Sequence, residues 1–251
     1  MNAPKFKDHF SAGSAGYAAY RPSYPPQLID ELAKVSPGRG LALDCGCGTG
    51  QLSALLADHF DKVVATDASA PQIEKAQPRD RVQYRAALAE ESGLPEGSVD
   101  LITVAQAAHW LDLEKFYGEV RRVARPNGVV ALITYGVLHV EGEAEPIVQR
   151  FYYETVGPYW PPERRHVEDG YRSLPFPFRE IQLPDLAIEV SWTLEDLVGY
   201  VGTWSATKAA EKALGSNLVI QFEQELREHW GDPQTRQRVE WPLSLRVGLV
   251  E

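Results

Sequence analysis

The stretch LDCGCGTGQL, residues 43–52, contains three glycines and both cysteines of the 251-residue chain. It follows a short apolar run and precedes leucines at helical spacing, so it is a strand-to-helix turn. Such a turn can serve a metal, a redox pair, a phosphate or another ligand. Cys45 and Cys47 are spaced i, i+2, which matches neither a C-x-x-C redox pair nor a zinc half-site. We therefore expect no metal and no redox function here.

The composition is that of a folded protein with small-molecule partners. Hydrophobic residues make up 44% of the chain and charged residues 24%, as in globular domains. A formal net charge of −10 disfavours nucleic acid, whose binding depends on clustered Lys and Arg. No apolar stretch approaches the roughly 20 residues that cross a bilayer, and the N-terminus lacks the apolar core of a secretion signal. We expect a cytoplasmic protein with a small-molecule substrate and no membrane partner, either a monomer or a dimer.

Five short apolar runs alternate with helical patterns in the first half of the chain. The runs are LALDC, KVVATD, VQYRA, VDLITVAQ and GVVALITY, at residues 41–45, 62–67, 82–86, 99–106 and 128–135. This alternation predicts an α/β fold, with a doubly wound parallel sheet covered by helices on both faces. Ligands of such sheets bind at the carboxyl ends of the strands.

The second half of the chain has a different composition. Residues 151–166 and 174–178 are rich in aromatics and prolines, which predicts an insertion or lid. Prolines and alternation at 180–190 predict an edge strand, and residues 241–250 alternate like a final strand.

A capping-box pattern at Thr193 and Asp196 predicts a helical stretch that reaches about Trp230. The whole chain is predicted to be one domain, residues 1–251. Its parts are a cap arm (1–38), a cofactor-binding core (39–136), a lid with the edge strand (137–236) and a terminal strand (237–251).

The glycine turn and a later acid together predict a nucleoside site. Gly46, Gly48 and Gly50 let the backbone turn tightly and approach a ligand closely. Asp67 ends the second strand 17 residues after Gly50, where a doubly wound fold places a carboxylate for two ribose hydroxyls. The alternative is a structural turn with no ligand. The string from Asp44, D-x-G-x-G-x-G, departs from the dinucleotide fingerprint G-x-G-x-x-G.

This string resembles the glycine motif of class I S-adenosylmethionine-dependent methyltransferases. Later segments match that family in order, namely TDAS (66–69), LAEESGLPEGSVDLITVAQAAHW (88–110) and ARPNGVVAL (124–132). Further segments resemble the subgroup that includes trans-aconitate methyltransferase, namely HFSAGSAGYAAYRPSYPPQLIDEL (9–32), GTWSA (202–206) and WPLSLRVGL (241–249). The resemblance implies a seven-stranded, mostly parallel Rossmann-like sheet with an antiparallel last strand, and S-adenosyl-L-methionine as the cofactor.

The resemblance also implies which residues contact the cofactor. The backbone around Gly46 and Gly48 lies against the methionine part, Asp67 holds the ribose, and Ala68 borders the adenine. Other cofactor-binding candidates are Tyr20, Arg21, Asp44, Cys47, Gly50 and Gln106.

Ala89 and Glu90 match the adenine wall of the family, although Leu88 occupies the position of its first acid. Recognition of the adenine amino group therefore falls to Glu90 or to a backbone carbonyl.

The end of the fourth strand is the predicted acceptor side of the site. His109 has an unperturbed pKa near 6.5, which suits a general base at neutral pH. The alternative is that His109 only packs or binds a backbone carbonyl. Trp110 is expected to line the pocket. Further substrate-binding candidates are Tyr17, Trp204 and Arg164. The alternatives that stay open are that Trp204 is a core residue and that Arg164 lies on a solvated face.

The implied reaction is transfer of a methyl group to a small molecule, with O-methylation of a carboxylate or a hydroxyl favoured. A carboxylate is already ionised, whereas a hydroxyl needs a base, for which His109 is the candidate. Three alternatives stay open. They are a dehydrogenase with a dinucleotide on the same turn, a noncatalytic S-adenosylmethionine-binding protein, and methylation of another acceptor class such as a macromolecule.

Overall fold

The computed structural model describes residues 22–251, and over these residues nine strands form one mixed sheet. Five strands are parallel in the order β3-β2-β1-β4-β5: β1 (Leu41–Cys45), β2 (Lys62–Asp67), β3 (Val82–Ala86), β4 (Val99–Ala105) and β5 (Ala124–Tyr135). The other four strands are β6 (His139–Val140), β7 (Arg179–Ile181), β8 (Ala187–Trp192) and β9 (Gln237–Leu249). The last strand, β9, pairs with β5 and runs antiparallel to it. The predicted α/β fold class with an antiparallel last strand is confirmed.

The expected count of seven strands is corrected to nine over residues 22–251. The edge strand predicted at 180–190 is two strands, β7 and β8, which both pair with β9. Pro184 lies between them and has no N–H to donate to the ladder, so the pairing is interrupted there. β6 adds a two-residue pairing with β9 at Val239 and Glu240, beyond the part of β9 that pairs with β5.

Helices flank the sheet and build the lid. Those of the first half are α1 (Pro26–Val35), α2 (Gln51–Leu56), α3 (Ala70–Glu74) and α4 (Leu113–Val123). Those of the second half are α5 (Glu145–Arg150), α6 (Arg164–Glu168), α7 (Leu194–Gly202), α8 (Ser205–Leu214) and α9 (Leu218–Trp230). A π-helical turn, Phe151–Thr155, continues α5. None of the helices within residues 22–251 has the length and apolar character needed to cross a membrane.

The helical stretch predicted up to Trp230 is three helices, α7 to α9. The capping box at its start is formed as predicted, with Thr193 as the N-cap of α7. Trp204 then has an extended backbone between α7 and α8. Gly215 ends α8 with φ +64°, a left-handed conformation that glycine adopts easily.

Lid residues contribute to the core on both faces of the sheet. Alternate residues of β5 point to opposite faces. Val129 packs in one cluster with the buried side chains of α1, α2, α7 and α9. Val130 packs in the other with α4 and with Tyr171 and Leu174 of the lid. The division of the chain into arm, core, lid and terminal strand stays a prediction.

Thr193→Ala should lower the free energy of unfolding by about 1 kcal/mol. The Thr193 hydroxyl accepts from the Asp196 amide at 3.3 Å, and the Asp196 carboxylate accepts from the Thr193 amide at 3.0 Å. Urea unfolding measures the loss. Thr193→Ser keeps the capping oxygen, so its free energy of unfolding should stay near that of the wild type. Equal free energies of unfolding for the Ala and Ser variants would contradict the capping role.

Candidate functional site

The turn between β1 and α2 has left-handed backbone at three glycines. φ is +65° at Gly46, +57° at Gly48 and +90° at Gly50. A Cβ on Gly46 would lie 2.6 Å from the Cβ of Ala107, and one on Gly50 would lie 2.3 Å from the hydroxyl of Tyr84. A Cβ on Gly48 would meet no atom of residues 22–251 within 4 Å. Gly46 and Gly50 are therefore required for packing, whereas Gly48 faces open space.

Asp67 ends β2 beside this turn. Its Oδ2 accepts from the Gly48 amide at 2.9 Å, and its Oδ1 accepts from the Ser69 amide at 2.8 Å. An ionised carboxylate offers about four lone-pair positions, so each oxygen can accept one more hydrogen bond. The half-buried carboxylate and the space at Gly48 fit the ribose and the chain of an S-adenosyl compound.

The predicted adenine wall lies next to β2. The Ala87 amide donates to the Asp67 carbonyl at 3.0 Å, which brings the segment after β3 beside Ala68. Ala89 is buried there and Ala68 is half-buried, whereas Leu88 is 50% exposed. An apolar side chain therefore stands exposed where the family has an acid.

Two carboxylates hold this wall against α4. Glu90 Oε1 accepts from the amide of Asp112, the N-cap of α4, at 2.9 Å. Glu119 of α4 is buried, and its Oε1 accepts from the amide of Ser92 at 2.9 Å and from its hydroxyl at 2.5 Å. The wall is thereby tied to α4, the helix that follows the segment after β4.

Asp44 is engaged by the protein itself. Its side chain is buried, with Oδ2 accepting from the Ser53 hydroxyl at 2.6 Å and Oδ1 from the Thr103 hydroxyl at 2.8 Å. Burial raises the pKa of this carboxyl to about 6, although the two hydroxyls oppose the shift. Asp44 thus links β1 to α2 and β4, and its predicted contact with the cofactor stays a prediction.

Both cysteines of the turn are buried free thiols. Burial raises the pKa of Cys45 and of Cys47, so neither side chain is a thiolate at neutral pH. No three His, Cys, Asp or Glu side chains within residues 22–251 are placed to hold a metal ion.

Gln106 fixes the acceptor turn, residues 106–110, on β5. Its Nε2 donates to the Tyr135 carbonyl and its Oε1 accepts from the Thr134 hydroxyl, each at 2.9 Å. Its backbone has φ +55°, which is uncommon for a residue other than glycine and is often found at functional sites. The side chain is therefore an anchor of the turn, and contact with the cofactor stays a prediction.

His109 is half-buried in the acceptor turn, and its Nδ1 lies 2.9 Å from the hydroxyl of Tyr171. Burial, followed by the nearby positive charge of Arg164, lowers the pKa of the imidazole to about 3, and His166 contributes less. The ring is therefore neutral at physiological pH. The indole of Trp110 lies beside it, with ring centroids 4.8 Å apart.

Arg164 begins α6, which packs against residues 108–110. Its Nε donates to the Tyr152 hydroxyl at 2.7 Å, and its guanidinium carbon lies 4.7 Å from the ring centre of Trp160. That hydroxyl in turn donates to Glu168 at 3.2 Å. Arg164 forms no ion pair with any Asp or Glu of the described chain. It is a half-buried cation whose charge acts on His109.

Trp204 is part of an aromatic cluster in the core. It is 8% exposed, and its ring lies 5.4 Å from that of Tyr152 and 5.9 Å from that of Trp160, centre to centre. Trp204 thus supports the two rings that carry Arg164. Its predicted contact with the substrate stays a prediction.

The candidates Tyr17, Tyr20 and Arg21 lie outside the described residues. Residues 22–38 of the predicted arm are described. Among them Tyr24 is buried, and its ring centre lies 6.1 Å from that of Tyr135.

No motif in the sequence marks Tyr171, Tyr152 or Trp160 as site residues. All three lie in the lid, and the signal in the sequence was its aromatic-rich composition. No spacing in the sequence indicates that Tyr171 contacts His109, 62 positions earlier in the chain.

The chain is similar to methyltransferases over most of its length. Residues 43–132 match a family model described as a methyltransferase domain. A protein of Dictyostelium discoideum named as a candidate methyltransferase is 37% identical over 226 residues, 88% of this chain and 86% of that protein. A solved structure of a candidate type II methyltransferase from Anaeromyxobacter dehalogenans is 47% identical, with a TM-score of 0.89 over 92% of this chain and 98% of that one.

A Saccharomyces cerevisiae protein named for S-adenosylmethionine-dependent methyltransferase activity is 31% identical over 131 residues. That match covers 49% of this chain and 45% of the yeast protein.

Gly48→Ala should abolish most of the affinity for S-adenosylhomocysteine, because its Cβ would occupy the open space of the turn. Gly97 is a matched control, since its φ is +60° and its Cβ position is also open. Both variants should lose about 1–2 kcal/mol of stability to the left-handed backbone. In calorimetric titrations the Gly48 variant should bind at least about tenfold more weakly. Unchanged binding by this variant, or an equal loss in Gly97→Ala, would contradict the assignment.

The free energy of unfolding of Asp44→Asn, measured relative to that of the wild type, should be higher at about pH 7.5 than at about pH 4. The folded-state pKa of Asp44 lies above its unfolded value, so the buried charge destabilises the fold as the pH rises through about 6. Urea unfolding across this range measures the difference.

The control for this pH dependence is Asp112→Asn. A hydrogen bond from Lys115 lowers the pKa of Asp112, so its variant should show the opposite trend with pH. A pH-independent effect of Asp44→Asn would show that Asp44 has no raised pKa.

Proposed function

Because this chain belongs to the class I S-adenosylmethionine-dependent methyltransferases, we propose that it methylates an oxygen of a small organic acid. S-adenosylmethionine is its cofactor, and when bound it supplies a methyl group on a sulfonium. The groups that would hold it are the main chain at Gly46 and Gly48, the Asp67 carboxylate, and the wall at Ala89 and Glu90. The open space at Gly48 and the unused capacity of Asp67 support this assignment.

The observation that carries the proposal is that the half-buried guanidinium of Arg164 forms no ion pair with an Asp or Glu of residues 22–251. Arginine binds carboxylates through two parallel N–H groups, and a partly buried cation without a counterion favours an anionic ligand. Its Nε is already bonded to Tyr152, which leaves the η nitrogens for a substrate. The rings of Tyr152 and Trp160 would exclude water from that contact.

The position of Arg164 in the fold supports a binding site for such an anion near the turn that contains Gly46 and Gly48. α6 packs against residues 108–110, and Ala107 of the same segment packs against Gly46. An acid bound at Arg164 would therefore lie close to the methionine end of the proposed cofactor site. Alignment of nucleophile and methyl group is the main contribution that such a site makes to the reaction.

His109 favours a carboxylate over a hydroxyl as the methylated group. A group with a pKa of about 3 is a weak general base at neutral pH. An ionised carboxylate needs no base, whereas a hydroxyl does. Methylation of a hydroxyl is the second candidate, supported by the bond between His109 and Tyr171, which orients the imidazole.

Other features of the proposal rest on the sequence. The segments GTWSA and WPLSLRVGL support membership of the trans-aconitate methyltransferase subgroup, and the net charge of −10 disfavours macromolecular acceptors that are themselves anionic. A cytoplasmic location and a small-molecule partner remain part of the same proposal.

Arg164→Gln should raise the KM for the acid at least about tenfold, because charge-assisted hydrogen bonds contribute about 1.5–3 kcal/mol. The affinity for S-adenosylhomocysteine should stay unchanged. The assay uses labelled methyl donor with a panel of small acids and their primary amides, and detects the product by mass. Arg165→Gln is the matched control, since Arg165 is exposed one residue away.

Two results would count against the proposal. Equal methylation of acids and their amides would show that no anion is recognised. Donor binding without transfer to any member of the panel would favour the noncatalytic alternative.

A further inference from the structure

Two opposite charges lie four residues apart on α6 and do not pair with each other. Arg164 is the first residue of this helix and Glu168 is the last. Residues at this spacing are neighbours on a helix surface, and opposite charges there commonly form an ion pair. Within residues 22–251, however, neither residue takes part in an ion pair. The fold therefore prevents a contact that the helical spacing predicts.

The hydroxyl of Tyr152 lies between the two charges. Nε of Arg164 donates to its oxygen at 2.7 Å, and this direction is fixed because a guanidinium has no acceptor. The proton of the hydroxyl is thus free for Glu168, whose Oε1 accepts it at 3.2 Å. Burial raises the pKa of Tyr152 above its ordinary value, although the charge of Arg164 opposes the shift. The hydroxyl therefore keeps its proton at neutral pH and bridges Arg164 to Glu168.

The local backbone turns the side chain of Tyr152 toward the interior. Tyr152 lies in the π-helical turn Phe151–Thr155, in which the Val156 amide donates to the Phe151 carbonyl at 3.0 Å. Tyr152 is 1% exposed, whereas the adjacent Tyr153 is 54% exposed. π-helical turns are rare and are frequently found at functional sites. Of the two adjacent tyrosines, the turn thus brings one to α6 and leaves the other at the surface.

We propose that the Tyr152 hydroxyl is a spacer that keeps Arg164 from pairing with Glu168 and so keeps the guanidinium available for the anion of the substrate. Tyr152 is a positioning residue, because it acts through Arg164. A direct ion pair with Glu168 would compete with a substrate carboxylate for the same nitrogens. Since Tyr152 uses Nε, a carboxylate would be bound end-on by the two η nitrogens. The consequence for the substrate rests on the proposed function.

Crystal structures test the spacer without any substrate. Tyr152→Phe removes the hydroxyl, so Arg164 and Glu168 should form a direct ion pair, with a nitrogen–oxygen distance below about 4 Å. Tyr153→Phe is the matched control, because it removes the hydroxyl of the exposed neighbour, and Arg164 should there keep its bond to Tyr152. A guanidinium that stays unpaired in Tyr152→Phe would overturn the spacer role.

Kinetics test the consequence for the substrate. With the acid of the panel that has the lowest KM, Tyr152→Phe should raise this KM at least about threefold, because Glu168 then competes for the guanidinium. Glu168→Gln removes the competing charge, so the double variant Tyr152→Phe/Glu168→Gln should have a KM within about twofold of the wild-type value. Neither Glu168→Gln alone nor Tyr153→Phe should raise the KM. The affinity for S-adenosylhomocysteine should stay unchanged in all four variants.

The double variant separates the spacer role from simple packing. If Tyr152 only supported the core, Glu168→Gln would not relieve the effect of its substitution, so equal KM values for Tyr152→Phe and the double variant would refute the inference. A direct ion pair in the Tyr152→Phe crystal without any rise in KM has a different meaning. It would leave the spacer role in place and overturn Arg164 as the acid-binding residue of the proposed function.

Discussion

The close contact between Gly46 and Ala107 is the constraint on which the site depends. A Cβ at Gly46 would come within 2.6 Å of the Ala107 side chain, so the glycine turn and the acceptor turn can be adjacent only because one of them has no side chain. Methyl transfer needs a donor and an acceptor in line and in contact. The two turns end neighbouring strands, β1 and β4, and the parallel pairing of those strands brings them to the same edge.

The sequence predicts the parts of the site that follow from local pattern. The glycines, Asp67 and the ends of the first five strands could be placed because buried parallel strands and strand-to-helix turns have short-range signatures. Whether a polar side chain at a strand end faces the ligand or is hydrogen-bonded within the protein is harder to predict. Asp44 stands where expected, yet both of its oxygens accept hydrogen bonds from protein hydroxyls.

Contacts made by the lid could not be predicted in this way. Tyr171 reaches His109 from 62 positions later, and Arg164 acts on the same ring from another element of the lid. The edge strand was predicted in the right region, but Pro184 divides it, and one residue without an N–H is enough to end a ladder. These features depend on tertiary packing, for which a single sequence carries no periodic signal.

β9 also has a consequence for how the protein is made. Arg246 of β9 donates a hydrogen bond to the carbonyl of Tyr171, and the hydroxyl of Tyr171 is hydrogen-bonded to His109. The orientation of the imidazole therefore depends on a strand that is synthesised after residues 22–236. A nascent chain that has folded its first five strands would already have the glycine turn and Asp67. It would still lack the contacts that orient the imidazole, so the region proposed to bind the cofactor would form before the His109 side of the proposed site.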